Sequence, residues 1–240
     1  MFERETCRLC GKRSLRSVFE LPSTPLANAF ETGPLKVPVF PLEVMMCSSC
    51  QHAQLKHVVS PRHLFQNYKY ESGTSPVFVE HFARYALDEY VRWGLRAGDF
   101  VCEIGSNDGT CLEKFQNLGC RVVGVEPSQN LVDIALKRNV QTVTSFFNFE
   151  VAANLVEGHG PAKLIVANNV LAHIDDLSGV IRAAQKLLAP DGVFIFEVQY
   201  AGAMLAKGTF DHIYSEHLDY HALAPLVGFF DFSKGPWKVL

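Results

Sequence analysis

The 240-residue sequence is short of several things, and each shortage narrows the choice of function. No uninterrupted apolar run reaches the roughly 18 residues that a membrane span needs. The N-terminus, Met-Phe-Glu-Arg-Glu-Thr, is charged and lacks the apolar core of a signal peptide, so a cytoplasmic location is expected. Basic residues are not in excess: 22 Lys and Arg stand against 25 Asp and Glu, a net charge of −3, which argues against a nucleic-acid-binding surface. Repeats and low-complexity tracts are lacking too. What remains is an ordinary globular composition, 48% hydrophobic and 20% charged, sufficient for one good core and a small appendage.

Cysteine is not lacking. Four of the seven fall in two C-x-x-C pairs, Cys7 with Cys10 and Cys47 with Cys50. In a reducing compartment such pairs read as a closed, structural four-thiolate zinc site rather than as disulfides. Gly11, after Cys10, permits the turn that aims amides at sulfur. His52 and His57 are alternative ligands in place of one thiolate. Cys102, Cys111 and Cys120 are expected to be small, buried apolar residues. Residues 1–65 also carry half of the twelve prolines and little periodicity, so metal binding would supply their folding free energy.

A three-glycine dinucleotide fingerprint is missing as well. In its place stands Val101-Cys-Glu-Ile-Gly-Ser-Asn-Asp-Gly-Thr110, between an apolar lead-in and a helical pattern. Strand, glycine turn and helix in that order present backbone N–H groups and a helix N-terminus to a ligand. About 20 residues later Val122-Val-Gly-Val-Glu126 ends a second strand in a carboxylate, where a ribose diol would be read. Glu103, Gly105, Ser106, Asn107, Asp108, Gly109 and Glu126 thus become candidate cofactor residues. Asp108 would repel a pyrophosphate but suits the cationic amino-acid end of S-adenosylmethionine, and Glu103 fits the same reading.

Residues 61–96 turn helical, with Phe78, Phe82, Tyr85, Ala86, Glu89 and Tyr90 at spacings of three and four. Strands are then expected at Phe100–Gly105, Arg121–Glu126, Gln141–Phe147, Lys163–Asn168 and Gly192–Val198. Helices are expected near 108–118, 129–138, 149–157 and 176–188. This alternation implies an α/β fold with a parallel sheet and helices on both faces. The strands' carboxyl ends should line the site and would deliver Gly105, Glu126, Phe146 and Glu197, together with Phe147, over an adenine face or simply into the core, and Asn168 with Asn169 as polar ligand contacts.

The joint pattern resembles the sugar C-methyltransferases of antibiotic deoxysugar pathways, which carry a zinc-binding N-terminal domain. The resembling segments run in order over nearly the whole chain. They are Cys7-Arg-Leu-Cys-Gly11, Leu26-Ala-Asn-Ala-Phe30, Tyr68-Lys-Tyr-Glu-Ser-Gly-Thr-Ser75 with His81, and Glu103-Ile-Gly-Ser-Asn-Asp-Gly109. Further on come Asn168-Asn-Val-Leu-Ala-His-Ile174, Phe196-Glu-Val-Gln-Tyr200 and Phe210-Asp-His-Ile-Tyr-Ser-Glu-His-Leu218. The resemblance implies a class I methyltransferase, Rossmann-like parallel sheet preceded by a small zinc-binding domain. It implies zinc binding over 1–65, a helical connector over 66–96, and a domain for S-adenosylmethionine over 97–240. It also implies a nucleotide-linked 4-keto-deoxysugar as substrate, deprotonated beside the ketone so that the enolate takes the sulfonium methyl. The base falls on His217, with Glu216 and Tyr214 beside it, and substrate-facing positions fall on Tyr70 and His173. A histidine near its ordinary pKa of ~6.5 suits such a proton, a neighbouring carboxylate would set its tautomer, and a tyrosine would stabilise the enolate oxygen.

Four positions depart from the family pattern. Ser215 and His212 stand at unusual places, Gln199 replaces a proline, and the second knuckle reads Cys50-Gln-His-Ala without a following glycine. After the helix near His221 the sequence offers no two further strands and no further C-terminal domain. An exposed edge on the fifth strand is therefore expected, open to a second subunit. The alternatives are a methyltransferase for another small molecule, and an inactive remnant that still binds zinc and cofactor.

Overall fold

A computed structural model of the chain describes residues 1–27 and 37–232. The chain opens with β1 (Phe2–Glu3), β2 (Leu15–Thr24), β3 (Phe40–Cys47), β4 (Ala53–Leu55) and β5 (His57–Val58). β2, β3 and β4 form an antiparallel run, with Leu15 opposite Cys47 and Val44 opposite Leu55, while β1 pairs with β5. Alternation sets the register of β3: Leu42 and Val44 point inward, and Glu43 between them pairs with Lys56 at 3.0 Å.

After α1 (Pro61–Phe65) and a 3-10 turn at Ser72–Thr74 comes α2 (Pro76–Arg92). Its proline sits in the first turn and Ser75 caps it, the serine hydroxyl accepting the Phe78 N–H at 3.4 Å. Strands and helices then alternate as expected: β6 (Phe100–Ile104), α3 (Thr110–Asn117), β7 (Arg121–Glu126), α4 (Gln129–Lys137), β8 (Thr142–Thr144), α5 (Phe149–His159), β9 (Ala162–Asn168), α6 (Leu177–Leu187) and β10 (Leu188–Glu197). The five strands are parallel, in the order β10-β9-β6-β7-β8, flanked by helices: the α/β fold that the sequence predicts. β6 is central and buried at every residue, which is why it reads as an unbroken apolar run around Glu103. Phe82 and Ala86 of α2 pack with Leu112, Phe115, Val122 and Leu164 into the main core. β10 lies at the sheet's edge, where Pro190 and Gly192 fall in a register break between Leu188 and Val193 that an edge strand tolerates. Among the described residues nothing pairs with its outer side.

The remaining elements are α7 (Ala201–Lys207), a 3-10 turn at Phe210–His212, β11 (Asp219–Tyr220) and α8 (Leu223–Phe232). β11 does not extend the parallel sheet. It pairs antiparallel with β4, Asp219 opposite Gln54 and Tyr220 opposite Ala53, giving the order β11-β4-β3-β2. Two compact units result. One holds residues 1–64, 171–178 and those from Val198 on; the other holds 65–170 and 179–197. This division cuts across the successive segments 1–65, 66–96 and 97–240 expected from sequence. The helical stretch joins the parallel-sheet core through Phe82 and Ala86, and residues after Val198 join the cysteine unit through a two-residue strand too short to leave a sequence signature. The expectations for residues 28–30 and 233–240 lie outside the described residues. Among the described residues no helix is long and apolar enough to cross a membrane.

Candidate active site and metal centre

The four cysteines of the two pairs come together. Their sulfurs lie within 4.8 Å of one another, Cys7 3.5 Å from Cys50 and Cys10 3.6 Å from Cys47, all as free thiols. The two knuckles are built alike. The Gly11 N–H donates to the Cys7 carbonyl at 2.9 Å, and the Gln51 N–H donates to the Cys47 carbonyl at 2.9 Å. Both residues adopt left-handed backbone, φ 71° and 65°. Gln51 therefore holds the place where a glycine was expected, at a cost of about 1 kcal/mol. Amides of Leu9 and Cys10 point at the Cys7 sulfur, and those of Ser49 and Cys50 at the Cys47 sulfur. Burial opposes ionisation of Cys47, but these amides and the Ser14 hydroxyl at 3.1 Å bring its thiol down to about 6. Burial pushes the Cys7 thiol up and carries Cys50 to about 11. Four sulfurs with donors aimed at them fit a tetrahedral zinc ion. The alternative ligands are engaged elsewhere: His52 with Asp219 at 2.7 Å, His57 with Glu3 at 3.4 Å. Cys102, Cys111 and Cys120 are buried, as expected.

In the parallel-sheet unit the turn after β6 is made of left-handed residues: Gly105 (φ 68°), Asn107 (φ 50°) and Gly109 (φ 78°). A Cβ on Gly105 would lie 2.7 Å from Val170, and one on Gly124 of β7 would meet the Ser106 Cβ at 2.7 Å. The turn carries the Asn107 N–H to Glu126, whose carboxylate also accepts the Ser128 N–H, both at 3.0 Å. Burial raises the Glu126 pKa against the pull of these amides. Asn107 accepts the Ser72 N–H at 3.0 Å and donates to the Tyr70 carbonyl at 2.9 Å, while Tyr70 stays 41% exposed. Asp108 is wholly buried. It accepts from the Thr110 hydroxyl at 2.7 Å and the Gly73 N–H at 2.8 Å, and it lies 3.6 Å from Arg138. Its charge thus anchors the 72–74 turn.

Glu103 is provided for differently. One oxygen accepts from the Asn168 side-chain amide at 3.3 Å; the other is buried without a hydrogen-bond partner, and so is the Asn168 carbonyl oxygen. Burial, which outweighs the Asn168 and Cys111 contacts, pushes its carboxyl up to about 8. Unsatisfied buried acceptors beside a glycine turn fit the ammonium end of S-adenosylmethionine. At the end of β10, Glu197 takes His81 at 2.9 Å and the Asn169 amide at 3.0 Å. Phe147 is half-buried, beyond the end of β8 rather than on it.

The cysteine unit brings Tyr214, Glu216, His217 and His173 together. Ser215, Glu216 and His217 are buried. The Nδ1 of His217 donates to the His212 carbonyl at 2.9 Å, and its Nε2 accepts from the Tyr214 hydroxyl at 2.9 Å. A main-chain carbonyl therefore sets the tautomer, a task expected of the Glu216 carboxylate, and this is what places His212 at the site. The His173 ring stands 5.0 Å from that of His217. Burial, which the His212 carbonyl opposes, pulls His217 down to about 4, well below the ordinary value expected from sequence. Burial and the neighbouring His217 pull His173 down to about 3. Burial, then Glu216, raises the Tyr214 hydroxyl. The arrangement holds a neutral imidazole with one basic nitrogen, capped by a hydroxyl that can donate.

Two family models match the chain. Residues 78–227 match the family described as "Methyltransferase domain", and residues 7–65 match the one described as "Putative zinc binding domain". C-methyltransferase NovU of Streptomyces niveus is 37% identical over 230 residues, 95% of this chain and 55% of that protein. A ubiquinone biosynthesis O-methyltransferase of Paraburkholderia phymatum is 27% identical over 48% of this chain and 57% of its own. The chain thus spans about half the length of the curated relatives it matches. A chain from the solved complex of the Haloferax volcanii Trm112 methyltransferase activator and its methyltransferase is alike in fold, with TM-score 0.51 and 17% identity over 64% of this chain and 67% of that one.

Proposed function

The chain belongs to the methyltransferase-domain family, and from that premise we propose that it is an S-adenosylmethionine-dependent C-methyltransferase acting on a nucleotide-activated 4-keto-deoxysugar. The observation that carries this reading is the bond between Tyr214 and the free-electron-pair nitrogen of a buried, neutral His217. Carbon methylation needs a base for a proton on carbon, which methylation of an exposed oxygen or nitrogen does not. The resemblance to a C-methyltransferase over 95% of the chain supports the same acceptor atom.

When bound, S-adenosylmethionine supplies the electrophilic methyl group. Glu103 and Asn168 would hold its ammonium end and Glu126 its ribose, with the turn from Gly105 to Gly109 and Phe147 as further residues that would bind it. His217 takes the proton from the carbon beside the ketone at Nε2. The electron pair left behind becomes the enolate, whose carbon would take the methyl as the methyl–sulfur bond breaks, with S-adenosylhomocysteine as the leaving group. Tyr214, released from Nε2, donates to the enolate oxygen, and His173 and Tyr70 contact the sugar. His217 then returns its proton to solvent. Zinc is structural here, since four sulfurs fill a tetrahedral ion and leave no open position for substrate.

The test uses a thymidine-diphospho-4-ketosugar in deuterated solvent, with and without S-adenosylmethionine. Deuterium should enter beside the ketone in both, and a methyl group only with the cofactor. Cofactor binding without exchange or transfer on any ketosugar would sink the proposal.

A further inference from the structure

Arg8 lies between two cysteines of the first knuckle and is only 4% exposed; its Nε and Nη1 are hydrogen-bonded, while its Nη2 is buried without a hydrogen-bond partner. Its Nε donates to the Asp175 carboxylate at 2.9 Å. Its Nη1 donates to the carbonyls of Leu55 at 2.9 Å and Leu218 at 3.1 Å, and lies 3.8 Å from Asp219. Leu218 directly follows His217. Asp175 lies two residues beyond His173. The Leu218 N–H also donates to the carbonyl of Ala172, which directly precedes His173, at 2.7 Å. One guanidinium therefore bears on both segments whose imidazoles face each other at 5.0 Å. The second knuckle reaches the same strand: His52, two residues past Cys50, holds Asp219 at 2.7 Å.

We infer that Arg8 is a positioning residue for the histidine pair, tying the first cysteine knuckle to the segments that carry His173 and His217. A planar fork fixes direction as well as charge, so carbonyl and carboxylate are held at set angles that an ammonium would leave loose. The root of that fork is the backbone between Cys7 and Cys10, which metal on the sulfurs would make rigid. Metal held by the four sulfurs would fix that root without touching either imidazole. The inference rests on His217 as the base.

The decisive variant is Arg8→Lys in the full chain, which keeps the charge and loses the fork. Zinc content and affinity for S-adenosylhomocysteine should stay at wild-type levels. Proton exchange on the ketosugar should fall about 10- to 100-fold, the effect of misplacing a reacting group by an ångström. The ring signals of His173 and His217 in NMR spectra should move, and the His217 midpoint should rise from about 4 toward its ordinary value. The neighbouring titratable groups, His173, His212, Tyr214 and Glu216, are unaltered in that variant. A folded, zinc-loaded Arg8→Lys protein with wild-type ring signals and exchange would overturn the inference. Should that variant not fold, Asp175→Asn decides: the ring signals should shift the same way by less, and unchanged signals would overturn it. If wild-type protein shows neither exchange nor transfer, the base assignment fails, and the ring signals still judge the role of Arg8.

Discussion

The Tyr214 hydroxyl donates to His217 across 2.9 Å, so the nucleophilic nitrogen of the imidazole is occupied until something displaces it. A ketone substrate offers an exchange, because its oxygen can accept from the phenol while its acidic C–H meets the freed nitrogen. The pair is buried, and burial keeps the histidine neutral at pH values where an exposed imidazole would be charged.

His217→Ala should lower exchange by roughly 10²–10⁴-fold, the usual worth of general-base catalysis, with affinity for S-adenosylhomocysteine unchanged. The pH profile adds a sharper check. With a folded pKa near 4 against 6.5 unfolded, the base form persists well below neutrality, so exchange should be flat from about pH 5.5 upward. An acid limb near 6.5 in the free-enzyme profile would contradict the buried geometry. The same depression makes this histidine a source of stability at neutral pH that fades as pH falls from 6.5 toward 4.

Metal analysis should find about one zinc per chain, and Cys47→Ser should release it. Gln51→Gly relieves the left-handed glutamine of the second knuckle and should raise the unfolding free energy by about 0.5–1 kcal/mol with zinc retained. A drop in stability would mean that the Gln51 side chain matters more than its backbone.

Glu103 should couple cofactor affinity to pH. With its carboxyl raised to about 8, the free protein holds it neutral at pH 7, and a cationic ligand must draw off the proton. Affinity for S-adenosylhomocysteine should rise with pH until about 8 and then level. The folded pKa is raised, so this carboxyl costs nothing below about 4.5 and destabilises increasingly as pH climbs to 8. Glu103→Gln should flatten the affinity profile and raise the melting temperature at pH 8. A variant with the wild-type slope would place the ammonium elsewhere.

Glu126→Ala should weaken cofactor binding by about 1–3 kcal/mol, the scale of lost charge-assisted hydrogen bonds. It also strips the acceptor from the Asn107 and Ser128 amides, so amide exchange in the 105–109 turn should quicken. An unchanged dissociation constant would show that the ribose is read by another group.

The sequence made the cysteine cage, the parallel sheet and the Glu103–Gly109 turn readable because each rests on local spacing. What it hid depends on burial or on main-chain atoms. The partner of the His217 Nδ1 is a carbonyl, which has no letter in a sequence. Gln51 does a glycine's work by conformation alone. Asp108 reads as a free charge for a ligand, yet Gly73, Thr110 and Arg138 surround it. The partners of Arg8 lie far along the chain, at Leu55, Asp175 and Leu218. β11 is two residues long and escapes any periodicity argument.

The pairing of Gln54 with Asp219 also orders events during synthesis. Contacts so distant in sequence carry a loop-closure penalty that only later contacts repay, and they form slowly. At roughly 5–20 residues per second the ribosome releases β10 before β11, so the parallel sheet can close while the first sheet still has three strands. During that interval Arg8 and His52 lack Asp219, and the edge of β4 lies open to any other extended segment. Protein caught at that stage should be most prone to pair with a second copy, and the arrival of two residues ends the exposure.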